Sequence, residues 1–239
     1  MNDALNSTPN TETPPVVCDQ CKESGGLRSG EYCACSIGTI ARDKHMTIYA
    51  GMPNPGSPRT FDNFERNPAN SEAMDAALEF ANGRSANPVL TFFGPNGTGK
   101  SHLLEAIGRH MMAQGKWVKY TFSADLLDNL RASYGEDATV NFEHMYERYT
   151  KPPVLLLDDL GAEKSTEWAV EKLTRILDER YRADRPLAFA TNLTEDTMSA
   201  KLGPRLADRL FDHRTGKVKV VVILGTSYRT GRRWSARGG

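Results

Sequence analysis

Beyond residue 60, short apolar runs alternate with stretches whose apolar residues recur every three to four positions. That alternation predicts parallel strands joined by crossover helices. Strands are expected at 88–93, 117–122, 154–157, 187–191 and 218–224. The run Val154-Leu155-Leu156-Leu157 is apolar without a break, as in a central strand buried on both faces. Between 100 and 113, Leu103, Leu104, Ile107 and Met111 share one helical face, and Gly115 follows as a stop. A second helix near 165–182 turns Ala169, Leu173, Ile176 and Leu177 inward behind a Ser165 or Thr166 cap. The expected fold is α/β, a five-stranded parallel sheet wound on both sides by helices.

The flanks read differently. Residues 1–15 are polar and carry no hydrophobic period, which predicts a disordered leader. A cysteine-bearing region spans 16–45, and a linker rich in Pro and Gly runs over 46–59. The nucleotide-binding domain is expected over 60–230 and a flexible basic tail over 231–239. No internal repeat is present. The 30 Lys and Arg residues balance 30 Asp and Glu, so nucleic acid could be met only through a local patch or a partner. No apolar run approaches the roughly 18 residues of a membrane span, and no signal-peptide core is present. A cytoplasmic protein without a membrane role is expected.

The chemistry is written most plainly in Gly94-Pro95-Asn96-Gly97-Thr98-Gly99-Lys100-Ser101. This is GxxxxGK[ST] between an expected strand and an expected helix, the context that a phosphate-binding loop requires. Its glycines let backbone N–H groups converge on phosphate oxygens at a helix N-terminus. Lys100 would reach the β- and γ-phosphates of ATP, and the Ser101 hydroxyl would ligate magnesium. The apolar run at 154–157 ends in Asp158-Asp159, and in a parallel sheet that end lies beside the phosphate loop. Asp158 is the expected outer magnesium ligand. Asp159 would orient or deprotonate the attacking water, or else serve as a turn residue. Asn192, closing the next strand, either hydrogen-bonds the γ-phosphate or begins a helix with Thr194 and Glu195.

All four cysteines fall in one stretch, with Cys18 and Cys21 as CxxC and Cys33 and Cys35 as CxC after eleven intervening residues. Four thiolates so close can form a tetrahedral zinc site. His45 could replace one ligand, and a redox pair or a metal-free segment are the alternatives.

The run Leu155 to Lys164, then Thr166-Glu167-Trp168, then Thr191-Asn192-Leu193 resembles the AAA+ ATPase domain of bacterial and phage replicative helicase loaders of the DnaC/DnaI type. Leu202 to Leu210, Gly225 to Arg229, and the approach through Ala50-Gly51-Met52-Pro53 and Thr60 to Phe64 extend the likeness. The resemblance implies a slow, regulated ATPase that places the replicative hexameric helicase on single-stranded DNA. It makes Asn192 the sensor-1 residue and Arg229 the sensor-2 residue. Arg209, with Arg205 as the alternative, becomes an arginine finger reaching a neighbouring subunit; without the resemblance the two are an i,i+4 pair on a helix. It gives the cysteine region the task of gripping the helicase. The second Walker B carboxylate, usually Glu in AAA+ proteins, is Asp159. The chain stops about ten residues after Arg229, so no C-terminal helical lid is expected. The IstB type of transposase helper shares most of these motifs, and a nucleotide-gated adaptor with negligible hydrolysis is a third reading. The basic tail, with Arg229, Arg232, Arg233, Arg237 and Trp234, suits phosphate contact and base stacking as well as it suits a frayed terminus.

Overall fold

The computed structural model describes residues 44, 47–134, 138, 140–224 and 227–228. All but Lys44 lie in the compact unit Met46–Gly239. Five strands form one parallel sheet: β1 (Val89–Phe93), β2 (Val118–Phe122), β3 (Val154–Leu160), β4 (Leu187–Thr191) and β5 (Val218–Val222), in the order β2-β3-β4-β1-β5. The helices beyond residue 60 are α1 (Ser71–Ala81), α2 (Lys100–Ala113), α3 (Ser123–Ala132), α4 (Phe142–Thr150), α5 (Glu167–Arg182), α6 (Glu195–Leu202) and α7 (Pro204–Phe211), with a short 3-10 turn at His213–Thr215. Among the described residues no helix is long and apolar enough to cross a membrane.

Strand side chains alternate between two cores, as the two-residue period of a strand demands. Leu155, Leu157, Leu187 and Phe189 pack on one face with Leu126, Leu173, Ile176 and Leu210. Leu156, Ala188, Leu90 and Phe92 pack on the other with Ala77, Phe80, Leu103 and Ile107. The uninterrupted apolar run at 154–157 is therefore central. The cap of α5 is Thr166, whose side chain accepts from the Ala169 N–H. Thr194 caps α6 in the same way through the Thr197 N–H. Gly115 follows the end of α2 with φ 74°, the left-handed conformation that a helix stop needs and glycine adopts without penalty.

At the other end of the central strands a buried arginine ties several turns together. Arg180 donates to the carbonyls of Tyr149, Thr150, Pro152, Pro153 and Pro186 at 2.7–3.4 Å and has no exposed surface. It satisfies carbonyls from the last turn of α4 and the turns entering β3 and β4.

One boundary differs from the sequence expectation. β3 does not end at Leu157 but runs on to Leu160, across both aspartates. The register with β4 is regular through Leu157↔Phe189 and resumes at Leu160↔Thr191. Asp158 and Asp159 thus occupy a bulge, where two residues face one. Burial of Leu160 and a 2.8 Å hydrogen bond from the Thr191 hydroxyl to its carbonyl hold the strand beyond the bulge.

Candidate nucleotide site

The cleft sits where β1, β3 and β4 end. β1 delivers the chain into the loop 94–101, and α2 starts at Lys100. Gly97 (φ 82°) and Gly99 (φ 102°) both take left-handed conformations. A Cβ at Gly99 would lie 2.9 Å from the Phe64 ring, so glycine is required for both backbone shape and space. Lys100 is buried and donates to the carbonyls of Gly94 and Pro95, each at 2.7 Å, so its charge lies within the loop. Thr98 closes the turn by donating to the Pro95 carbonyl at 3.0 Å.

Across the cleft, Asp158 is almost wholly buried. Its Oδ1 accepts from the Ser101 hydroxyl at 3.0 Å and from the Asp159 N–H at 2.9 Å. Its Oδ2 accepts from the Tyr120 hydroxyl at 2.6 Å. Burial raises the Asp158 carboxyl above the usual carboxylate range, against the three hydrogen bonds, which favour the ionised form. The same burial and the neighbouring carboxylate push the Tyr120 phenol far up, so it stays a donor.

Asp159 is exposed and left-handed, with φ 55°. Aspartate and asparagine tolerate that region better than longer side chains do. The bulge thus gives a local physical reason for the short acid where AAA+ proteins usually carry Glu. Below it, the Ser123 hydroxyl lies 2.9 Å from the Asp159 carbonyl and 2.6 Å from Glu163 Oε2, which also accepts the Gly161 N–H at 3.0 Å. This buried support fixes the turn after the aspartates.

Asn192 faces the phosphate loop. Its side-chain amide donates to Asn96 Oδ1 at 2.7 Å, and the Gly94 N–H donates to the Thr191 carbonyl at 3.3 Å. The remaining walls come from the chain's two flanks. Phe64 packs edge-on to His102, and His102 Nε2 lies 2.9 Å from the Thr60 carbonyl. Burial holds that imidazole below its usual pKa. Tyr228 lies across the loop: its N–H donates to the Gly97 carbonyl at 2.9 Å, and its hydroxyl donates to the Glu65 carbonyl at 3.0 Å. The cleft holds about 410 Å³, within the range of small-ligand sites.

The structure therefore brings Asn96, Gly97, Gly99, Lys100, Ser101, Asp158, Asp159 and Asn192 into one cleft, with Gly94, Pro95 and Thr98 shaping its loop. Arg209 lies elsewhere. On α7 it and Arg205 both donate to Asp178 of α5, at 3.0 and 2.6 Å. Arg229 and the four cysteines lie outside the described residues, as do residues 1–43 and 231–239. The sequence reading missed Tyr120, Ser123 and Glu163 as supports of the aspartates. Nothing local marks them, because their roles arise only where β2 and α3 meet the β3 bulge.

Against known proteins, the family described as IstB-like ATP binding protein matches residues 58–236.

The chain belongs to the IstB-like ATP-binding family.

Its relatives include DnaC-type AAA+ proteins of DNA replication. It is 26% identical over 153 residues to the replicative helicase loader DnaC of Buchnera aphidicola subsp. Acyrthosiphon pisum (strain APS), covering 63% of this chain and 62% of that one. It is 28% identical over 139 residues to the replicative helicase loader DnaC of Escherichia coli (strain K12), covering 58% and 55%. The matches thus span less than two thirds of those proteins. A crystal structure of the DnaC helicase loader shares the fold, with a TM-score of 0.59 at 22% identity over 69% of this chain and 96% of that one.

The cleft of this IstB-like chain fits a nucleoside triphosphate with magnesium. A buried ammonium within a glycine-shaped loop suits phosphate, and the Ser101 hydroxyl and Asp158 carboxylate would offer oxygen ligands to a hard cation. Lys100 and the loop amides would hold the phosphates, and Ser101 and Asp158 the cation. Magnesium, when bound, offsets charge on the transferred phosphoryl group. Asp159 and Asn192 both line the opening of the same cleft.

Proposed function

We propose that the protein is an ATP-dependent loader of the replicative hexameric helicase, delivering it to single-stranded DNA. The relationship to DnaC loaders carries this reading, and it accompanies a cleft lined by the phosphate-loop residues and the paired aspartates. Hydrolysis is slow and responds to DNA and partner, with Lys100, Asp159 and Asn192 acting within one subunit and Arg209 reaching the nucleotide of the next. Arg229 contacts its own subunit's nucleotide. The cysteines Cys18, Cys21, Cys33 and Cys35 hold a structural zinc ion that shapes the helicase grip, and the basic tail adds a DNA contact. Stoichiometric zinc in protein purified under reducing conditions supports that grip, and its absence removes it.

The match to the IstB-like family favours a second reading, an ATP-dependent helper of a transposase. Co-elution with the replicative helicase of the source cell, in ATP, separates the two. Full-length protein should form the complex, and a 59–239 fragment should not. Full-length protein that binds nucleotide and zinc yet forms no complex would move the reading to the transposase helper.

A further inference from the structure

Among the described residues outside the nucleotide cleft, a charge imbalance surrounds Asp178 near the end of α5. Arg205 Nη2 donates to its Oδ2 at 2.6 Å, Arg182 Nη2 lies 2.9 Å from the same oxygen, and Arg209 Nε donates to Oδ1 at 3.0 Å. One carboxylate thus faces three guanidinium groups. The acids nearby do not correct the balance. Glu179 pairs with Arg185 at 3.5 Å and accepts the Tyr146 hydroxyl, while Glu171 pairs with Lys172 at 2.7 Å. The carboxylate is sunk in the surface, its side chain 11% exposed, whereas those of Arg205 and Arg182 are 56% and 65% exposed. Arg209 uses only Nε on Asp178, and its guanidinium lies 4.8 Å from the centre of the Tyr181 ring. Such a cluster holds cations in place while leaving positive charge for a further anion.

Neither Arg205 nor Arg209 lines the chain's own nucleotide cleft. The exposed Arg205 is thus placed to meet an anion carried by another molecule. We propose that Asp178 holds Arg205 and Arg209 on the free subunit and releases them to the terminal phosphate of ATP bound by a second copy of this chain. This rests on the arginine-finger reading and adds its control. Exchange leaves no buried charge stranded, because Arg182 stays on Asp178 from one turn along α5. Assembly then trades an internal carboxylate for a phosphate, a stronger partner for a guanidinium fork. With ADP the terminal phosphate is missing and the exchange has no anion to complete it.

The test is self-association of the full-length protein by sedimentation, with a non-hydrolysable ATP analogue or with ADP, so that hydrolysis plays no part. Wild type should associate more tightly with the ATP analogue than with ADP. Asp178→Asn, which keeps the shape but loses the charge, should tighten the ATP-analogue complex about three- to tenfold. Arg182→Ala, an exposed change that leaves Asp178 to the other two arginines alone, should weaken it. Arg209→Ala and Arg205→Ala should remove the advantage of the ATP analogue. If both arginine variants associate as wild type does, or wild type shows no nucleotide-dependent association, the finger reading fails and the proposal falls with it. If they lose association but Asp178→Asn is unchanged or weaker, the finger stands and the exchange is wrong. An Asp178→Asn gain seen only in single-stranded DNA binding, by fluorescence anisotropy of a labelled oligonucleotide, would assign the cluster to nucleic acid and overturn the proposal.

Discussion

Asn192 donates its side-chain amide to Oδ1 of Asn96 across 2.7 Å, joining the end of β4 to the middle of the phosphate loop. The amide thus faces the loop that would present a phosphate. Asn192→Ala should lower kcat about a hundredfold, the scale for losing one transition-state donor, with nucleotide affinity nearly unchanged. Asn96→Ala removes the partner of that amide and should lower kcat less than Asn192→Ala does. Steady-state hydrolysis and equilibrium nucleotide titration of both variants check this.

Asp158 is a buried carboxylate whose ionised form is penalised. With its pKa raised on folding, the group's stabilising contribution is present below the unfolded value and lost as pH rises through the folded one. Asp158→Asn removes that penalty, so at neutral pH the variant without nucleotide should melt at or above wild type. It should also lose the upward shift in melting temperature that magnesium and ATP give wild type, since a bound ligand stabilises only the state that holds it. A thermal shift retained in full would remove Asp158 from the cation site.

Asp159 combines exposure, a left-handed backbone and the mouth of the cleft. Asp159→Asn keeps both size and tolerance of that backbone. Turnover should fall to background while ATP affinity holds, measured on the same preparation.

Lys119 carries its ammonium into a buried site, donating to the Tyr49 carbonyl at 3.0 Å. Burial pushes its pKa down to about 8, with Arg148 adding repulsion. Between about 8 and the unfolded value near 10.4, the unfolded chain binds more protons than the folded one. This group therefore adds stability as pH rises through that window. Urea unfolding at about pH 7 and about pH 9.5 should show a larger stability gain for wild type than for Lys119→Met.

Arg180 supplies donors to five carbonyls and has no exposed surface. Arg180→Met leaves those acceptors without it and should cost about 3 kcal/mol or more. For a domain of this size that is a fall of roughly 6–12 °C in melting temperature, read by calorimetry. A fall under about 2 °C would mean that the turns hold themselves.

The phosphate loop, its flanking strand and helix, and the paired aspartates were legible in the sequence because each depends on neighbours in the chain. Glycines at fixed offsets, a lysine opening a helix and an apolar run ending in acid are local statements, and local geometry obeys them. The length of β3 was not legible. Its continuation to Leu160 depends on Thr191 of β4 reaching the Leu160 carbonyl and on a core that buries Leu160. The bulge that turns Asp159 outward exists only because the two strands fall out of register there.

What the sequence by itself determined is the alternation that makes a parallel sheet and the glycine-rich loop between its first strand and the helix after it. What only the tertiary structure decided is the company the site residues keep. Tyr120 and Ser101 meet Asp158 from two different elements, and Asp178 meets Arg205 and Arg209 across 27 and 31 residues of chain. Such contacts leave no periodic trace in the sequence, because a hydrogen bond depends on distance in space, and distance along the chain does not set it.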